Sequence, residues 1–146
     1  MTANFDKGVK AYEAGDVETA KASLTSLAEL GDSSVQFALA ELLTYEKGFS
    51  DNFQTAIKWY TKAAEQGHAS AQYNLGFMCT RGVGVPKSDQ AALKWYTKAA
   101  EQGHDRAQAN LVEMYKRGDG VPQNDQDAAL WYAKAAEQGH ASAQYN

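Results

Sequence analysis

The chain has 146 residues, of which 44% are hydrophobic and 22% charged, and its formal net charge is −4. That length suits one compact domain or a short stack of small units, and the acidic balance lacks the dense Lys/Arg face expected of a nucleic-acid binder. The single cysteine, Cys79, excludes an internal disulfide and a cysteine-based zinc site.

The start of the chain, MTANFDKGVKAYEAGD, has no apolar core behind a basic stretch, so we see no secretory signal in it. No apolar run approaches the length that crosses a bilayer, and no membrane partner is expected. We therefore expect a cytoplasmic protein, or a secreted one if a leader has been removed.

The first segment is predicted to be a helix. Phe5, Val9 and Tyr12 fall on one stripe at helical spacing. Such a stripe favours a helix that closes the first end of a stack, over residues 1–15.

A 36-residue period organises the rest of the sequence. The letters WYTKAAEQGH occur at 59–68 and again at 95–104. Tryptophans and glycines recur in the same register, at Trp59, Trp95 and Trp131 and at Gly67, Gly103 and Gly139. A fixed period of this length is typical of helical repeat arrays. We predict a single array over 1–146, with repeats at 16–51, 52–87 and 88–123 and an incomplete repeat at 124–146.

Each unit is predicted to contain two helices. In AIKWYTKAAEQG the apolar residues, with Trp59 and Tyr60 among them, fall on one wide arc that should contact neighbours on both flanks. Gly67 should end this helix, because glycine accepts the left-handed conformation found there. The second helix, ASAQYNLGFMC, places Cys79 on its packing face, so we expect a buried thiol.

The segment RGVGVP (81–86) should end the second helix, because it combines two glycines with a proline. Ser88 or Asp89 would then cap the next helix. Tyr73 and Phe77 lie on the outer arc of the second helix, where they either form a contact patch or pack on the adjoining loop.

The last unit is incomplete. Residues 134–146 duplicate residues 62–74, but the second helix stops short. The apolar face around Trp131 would be partly uncovered, so we expect fraying after about Gly139 or end-to-end self-association.

These motifs resemble the Sel1-like repeat family, relatives of the tetratricopeptide repeats. The segments Ala56–Val85 and Ala92–Val121 match its pattern of tryptophan, paired alanines and glycines nearly in full, and the similarity covers roughly residues 16–146. The resemblance implies an all-α, right-handed α-solenoid of stacked helix-turn-helix repeats whose first helices line a concave groove. It also implies an adaptor that binds other proteins.

The recurring histidines and glutamines carry no predicted catalysis. His68, His104 and His140 lie one repeat apart, about 8–10 Å, which is too far to share one metal ion, so a role in the turn is expected. Four glutamines, Gln36, Gln72, Gln108 and Gln144, should bond free backbone groups at the helix start or across the repeat joint. We predict no metal and no cofactor.

The polar arc of the first helices is the candidate binding site. It carries a modestly basic series suited to acidic side chains or a free carboxylate of a protein or peptide, formed by Lys58, Thr61, Lys62, Lys94, Thr97, Lys98 and Lys134. The alternative is that Lys62 with Glu65, and Lys98 with Glu101, are simply exposed ion pairs.

No catalytic residue is predicted, because the chain contains neither S-x-x-K nor G-x-S-x-G. The main hypothesis is a non-catalytic scaffold that binds a polypeptide. The alternative is a small hydrolase or β-lactam-binding protein, as the resemblance implies for some members of the family. A third interpretation, a helical repeat that reads RNA, would need a basic face.

Overall fold

The computed structural model describes residues 2–45, 53–119, 129–131 and 133–134. These ranges contain helices and connecting turns but no strand, so the predicted all-α fold is confirmed. The chain divides into two compact units, Met1–His68 and Ala69–Asn146. The first contains α1 (Thr2–Glu13), α2 (Val17–Glu29), α3 (Ser33–Tyr45) and α4 (Phe53–Glu65); the second contains α5 (Ala69–Arg81), α6 (Asp89–Glu101) and α7 (Asp105–Arg117).

In the first unit each helix packs on the next along the chain, α1 on α2, α2 on α3 and α3 on α4. Half of the most buried residues are alanines, and a small side chain lets two helix backbones come together. Larger apolar side chains fill the space between the helices. The most buried residues of this core are Ala20, Leu24, Leu27, Ala28, Leu39, Ala40, Leu43, Ala56, Trp59, Tyr60, Ala63 and Ala64.

Helix α1 forms where the sequence predicts it, but its most buried described residues are small ones. Ala11 is buried, and a Cβ added at Gly8 would lie 3.3 Å from the Cβ of Ser23. Val9 and Tyr12 are 36% and 40% exposed, so these two residues of the predicted stripe are less buried than Ala11; the side chain of Phe5 lies outside those described. Two small residues one turn apart allow a closer helix contact than the bulky stripe would.

In the second unit α5 packs on α6 and α6 on α7, and the buried Trp131 joins their core. Gly76 of α5 lies against the ring of Tyr96 on α6, and an added Cβ would come within 2.8 Å of that ring. The equivalent residue in the first unit is Ala40. The glycine therefore permits a closer contact between helix and ring.

The repeated glycine turns end the first helix of each described pair. Gly67 and Gly103 have φ of +95° and +91°, in the left-handed region. The N–H of His68 donates to the carbonyl of Ala63 at 3.1 Å, which satisfies one of the free carbonyls at the end of α4. Gly139, the third glycine of the series, lies outside the described residues. At the opposite end, Ser88 caps α6 by accepting from the N–H of Ala91 at 3.1 Å.

Buried glutamines connect successive helices. Gln36 donates through Nε2 to the carbonyl of Ala28 at 3.0 Å, and its Oε1 accepts from Nε2 of Gln66 at 2.7 Å. The bond from α4 to α3 confirms the prediction of a contact across the repeat joint. The backbone partner of Gln36, the carbonyl of Ala28, lies near the end of α2 and not at a helix start. The last carbonyls of a helix accept no hydrogen bond from their own helix, so they are available to a side chain.

The same joint recurs in the second unit. Gln108 donates to the carbonyl of Ala100 at 3.1 Å, and Gln102 donates to Oε1 of Gln72 at 2.8 Å. The buried Oε1 of Gln108 has no hydrogen-bond partner among the described residues. The equivalent donor would be Gln138, which follows Gln108 by 30 residues just as Gln66 follows Gln36. Gln138 lies outside the described residues.

Candidate interaction surfaces

The first helix of each described repeat carries lysines around a tryptophan. On α4 the Nζ atoms of Lys58 and Lys62 lie 5.4 and 5.6 Å from the ring centroid of Trp59. Both lysines are exposed, whereas the tryptophan is only 4% exposed. We call this arrangement a Lys–Trp face. It places two positive charges at fixed positions on the helix surface, because each ammonium group is attracted to the ring.

The second unit repeats the Lys–Trp face. On α6 the Nζ atoms of Lys94 and Lys98 lie 5.3 and 5.4 Å from the ring centroid of Trp95, and Lys134 lies 4.5 Å from that of Trp131. Trp95 is half-buried and packs on the edge of the core. It is therefore a weaker core anchor than Trp59, and the following residue, Tyr96, is buried in this core.

The two threonines of the predicted series are half-buried. The hydroxyl of Thr61 donates to the carbonyl of Ile57 in its own helix at 2.8 Å. That bond uses the one proton the hydroxyl can donate, so only its oxygen lone pairs are left for a ligand. Contact of Thr61 and Thr97 with a partner stays a prediction.

The alternative of simple ion pairs has no support in the geometry. Within the described ranges, neither Lys62 with Glu65 nor Lys98 with Glu101 comes within 4.0 Å; an ion pair of this kind occurs instead between Arg117 and Glu113, at 3.5 Å. The lysine ammonium groups lie over tryptophan rings, which do not neutralise their charge.

The histidines serve the turns before the second helices. His104 caps α7, and its Nδ1 accepts from the N–H of Ala107 at 3.2 Å. Its ring stacks on Tyr73 at 4.7 Å, and the ring of His68 stacks on Phe37 at 4.6 Å. Burial lowers the pKa of both histidines, which favours neutral rings. His140 lies outside the described residues.

Cys79 is buried, 7% exposed, as predicted. Burial raises the pKa of its thiol, so the thiolate needed for nucleophilic attack is scarce at neutral pH. Across the part of the chain that the structure describes, no three His, Cys, Asp or Glu side chains are grouped as a metal site would require.

Sequence reasoning did not anticipate the contact between lysine and tryptophan. The signal was present as K-W-x-x-K at 58–62 and 94–98: the lysine three residues after the tryptophan lies on the same side of the helix, and the long side chain of the lysine just before it also reaches the ring. The stacking of histidine on an aromatic residue of the preceding second helix was also missed. Those partners are 31 residues apart, at Phe37 with His68 and Tyr73 with His104.

The helix pairs, glycine turns and glutamine joints define a helical repeat protein of the α-solenoid class. A family model described as "Sel1 repeat" matches residues 33–68, 69–104 and 105–140. Because these matches cover most of the chain, it belongs to the Sel1 repeat family. Each match keeps the 36-residue period but begins at a second helix, so the repeat boundaries given above stay a prediction.

Solved structures support the same class. A Sel1 repeat protein from Oxalobacter formigenes is 38% identical with a TM-score of 0.81, covering 87% of this chain and 52% of that one. The protein c5321, a protective antigen of uropathogenic Escherichia coli with an SLR fold, is 32% identical with a TM-score of 0.87, covering 98% and 32%. The chain thus spans about half and about a third of these relatives.

Helicobacter pylori cysteine rich protein B shares the fold at 23% identity, with a TM-score of 0.68 and coverage of 88% of this chain and 92% of that one. The curated proteins include no significant match to this sequence. Sel1 repeat proteins are generally scaffolds for protein interactions and are typically non-catalytic. Each helix of the described ranges is too short and too polar to cross a bilayer.

Proposed function

We propose that this chain is a non-catalytic adaptor module that binds acidic segments of a polypeptide partner through its Lys–Trp faces. The observation that carries the proposal is the repetition of one geometry. In both units, two exposed ammonium groups lie 5.3 to 5.6 Å from a tryptophan ring at equivalent repeat positions, formed by Lys58, Lys62, Lys94 and Lys98.

The tryptophan ring improves the lysines as a binding site. A free lysine loses up to about 2 kcal/mol of side-chain entropy when it is held in one conformation. The attraction to an aromatic ring, about 0.5–1 kcal/mol at an exposed site, offsets part of that loss before any ligand arrives. Since Trp59 is anchored in the core, it also fixes where the charges lie. A carboxylate that meets two such ammonium groups forms charge-assisted hydrogen bonds.

The sequence around these faces favours an acidic partner. Residues 53–146 carry ten basic and nine acidic side chains, whereas residues 1–52 carry four basic and nine acidic ones, so most of the positive charge lies in the part of the chain that holds these faces. We also propose that the protein is cytoplasmic and that it can associate end to end with a second copy through residues 124–146. That segment lies largely outside the described residues.

The test uses a fluorescent decapeptide of alternating Glu and Gly, with an otherwise identical Gln peptide as the uncharged probe. We expect the Glu peptide to bind, and we expect the double changes Lys58→Gln with Lys62→Gln and Lys94→Gln with Lys98→Gln each to weaken it about tenfold, or about 1.4 kcal/mol. Fluorescence polarisation measures both affinities.

The matched control is Lys7→Gln with Lys10→Gln on α1, which removes the same charge from exposed lysines elsewhere. Equal weakening by the control would show a general charge effect and contradict the proposal. The non-catalytic part is checked by incubating the purified chain with nitrocefin and a simple ester. Turnover that disappears with a single substitution would favour the hydrolase alternative instead.

A further inference from the structure

The second unit contains a cavity of about 540 Å³ that the Lys–Trp faces do not use. Helices α5 and α7 form its walls, and Tyr96 of α6 lies at its base. Tyr96 is separated from Lys94 and Lys98 by two residues in each direction, about 200° around the helix. The cavity and the Lys–Trp face therefore lie on different sides of α6.

The base of the cavity is held in place by packing. Tyr96 is 2% exposed, and the ring of Tyr73 lies 5.6 Å from its ring. Tyr73 is fixed in turn by stacking on His104. Because Gly76 leaves no room for a side chain against Tyr96, this base cannot shift without disturbing the contact between α5 and α6. A ligand would meet a preformed surface.

The α5 wall presents an exposed aromatic ring beside an available cation. Phe77 is 42% exposed, and the guanidinium carbon of Arg81 lies 5.0 Å from its ring centroid. No described residue offers an acceptor to the N–H groups of Arg81. At the equivalent position on α7, by contrast, Arg117 has Glu113 at 3.5 Å. The first unit has Glu41 and Tyr45 at these two positions, so the pairing of an aromatic residue with an arginine is specific to α5.

The charges around the cavity favour an anion at the α5 wall. Its lining includes three basic and three acidic side chains, with Arg117 and Glu113 engaged with each other. Asp89 lies in the first turn of α6, where the helix dipole already stabilises its charge. The remaining acid, Asp119, follows α7. The α5 side, with Arg81 and the adjoining Lys87, is therefore positive and unpaired.

We propose that this cavity binds a polypeptide through a carboxylate that adjoins an apolar side chain. The apolar side chain packs on Phe77 and Tyr73, and the carboxylate accepts two parallel hydrogen bonds from the guanidinium of Arg81. Asn110, which also lines the cavity, has a side-chain hydrogen bond with Tyr96, so the rest of its amide group is left for the peptide backbone. The carboxylate is either a free C-terminus or an acidic side chain, since both present the same two oxygens.

The experiment uses three peptides and calorimetric titration against the full chain. One peptide ends in Ser-Gly-Leu-Phe with a free carboxylate, the second is its C-terminal amide, and the third is amidated and carries an internal Phe-Glu. We expect Arg81→Gln to weaken binding of the free-carboxylate peptide about tenfold. Amidation of the peptide should weaken its binding to the original chain by about the same factor, because it removes the carboxylate that Arg81 binds.

Two further variants keep the result interpretable. Phe77→Glu restores the residue found at the equivalent positions 41 and 113, so it should fold, and it should abolish binding by placing a negative charge beside Arg81. Arg106→Gln removes an exposed arginine of α7 that does not line the cavity and should change nothing. Circular dichroism melts show whether each variant is folded.

The third peptide identifies the source of the carboxylate. Binding of the internal Phe-Glu peptide that depends on Arg81 assigns the site to acidic side chains, whereas binding of the free terminus alone assigns it to C-termini. Failure of all three peptides, or binding that Arg81→Gln leaves unchanged, would overturn the proposal. Lys94→Gln with Lys98→Gln should leave this binding unchanged, so failure here and failure of the Lys–Trp faces are distinguishable.

Discussion

In each described Trp-Tyr pair the tyrosine packs in the core, while the tryptophan also contacts the lysines at the surface. Tyr60 is fully buried, and its hydroxyl donates to Glu41 at 3.1 Å, while burial raises its pKa. Trp59, one residue earlier, is also buried in the core, and its ring still reaches the lysines. The larger apolar surface of tryptophan thus supports both packing and the cation contacts. Trp59 is buried and Trp95 is half-buried, so the extent to which the ring packs in the core differs between repeats.

His104 should make the stability of the chain depend on pH. Its pKa is lowered by burial, so as the pH falls below about 6.5 the unfolded state takes up a proton before the folded state does. Stability is therefore full above that pH and is lost as the pH falls through the folded pKa. Protonation also removes the Nδ1 acceptor that caps α7.

The variant His104→Asn tests this dependence, since asparagine caps a helix without titrating. Asp32, at the equivalent position in the first unit, already caps α3 by accepting from Ser34 at 2.9 Å. Urea unfolding between pH 5 and pH 8 should show a shallower decline for the variant. An unchanged pH profile would mean that this histidine does not control stability.

At the scale of helices, the sequence predicts the elements inside the repeats much better than the one outside them. The positions of α4, α5, α6 and α7 along the chain follow from the 36-residue period and its glycines. Helix α1 follows from its apolar spacing, but its packing face does not. No repeat unit includes α1, so nothing in the sequence shows that the small pair Gly8 and Ala11 would be more deeply buried than Val9 and Tyr12.

The glutamine joint between α3 and α4 should contribute measurably to stability. Gln66→Ala leaves the buried Oε1 of Gln36 without a donor, which should cost about 1–3 kcal/mol. Gln90→Ala, an exposed position on α6, is the matched control and should stay within about 0.5 kcal/mol. Urea unfolding followed by circular dichroism gives both values, and similar values for the two variants would remove the joint as a stabilising contact.

At the scale of the whole molecule, the 36-residue period predicts the fold class. For function, the sequence predicts only a general kind of activity, the binding of other proteins. The Lys–Trp faces lie on single helices, so their residues were predictable even though the ring contact was missed. The cavity of the second unit was not predictable. It needs Phe77 and Arg81 from α5, Tyr96 from α6 and Asn110 from α7, and the packing of three helices decides whether those side chains meet.

The binding of acidic peptides should weaken as salt is added. The lysines of the Lys–Trp faces are exposed, so their attraction to a carboxylate is screened when the Debye length falls from about 10 Å at 0.1 M salt to about 3 Å at 1 M. We expect the affinity for the Glu-Gly decapeptide to fall about tenfold over that range, measured by polarisation, with an unchanged circular dichroism spectrum as the control. Salt-independent affinity would contradict an electrostatic site.

The two glutamine joints use the same atoms at nearly the same separation, 2.7 and 2.8 Å. A tandem duplication of 36 codons in the gene would therefore copy both glutamines of the joint. The new repeat could form the same hydrogen bond with its neighbour without further changes in sequence. Exposed positions such as 77 and 113 are free to diverge afterwards, since they take no part in that contact. A lineage built in this way can change the number of its repeats quickly and acquire different ligands copy by copy.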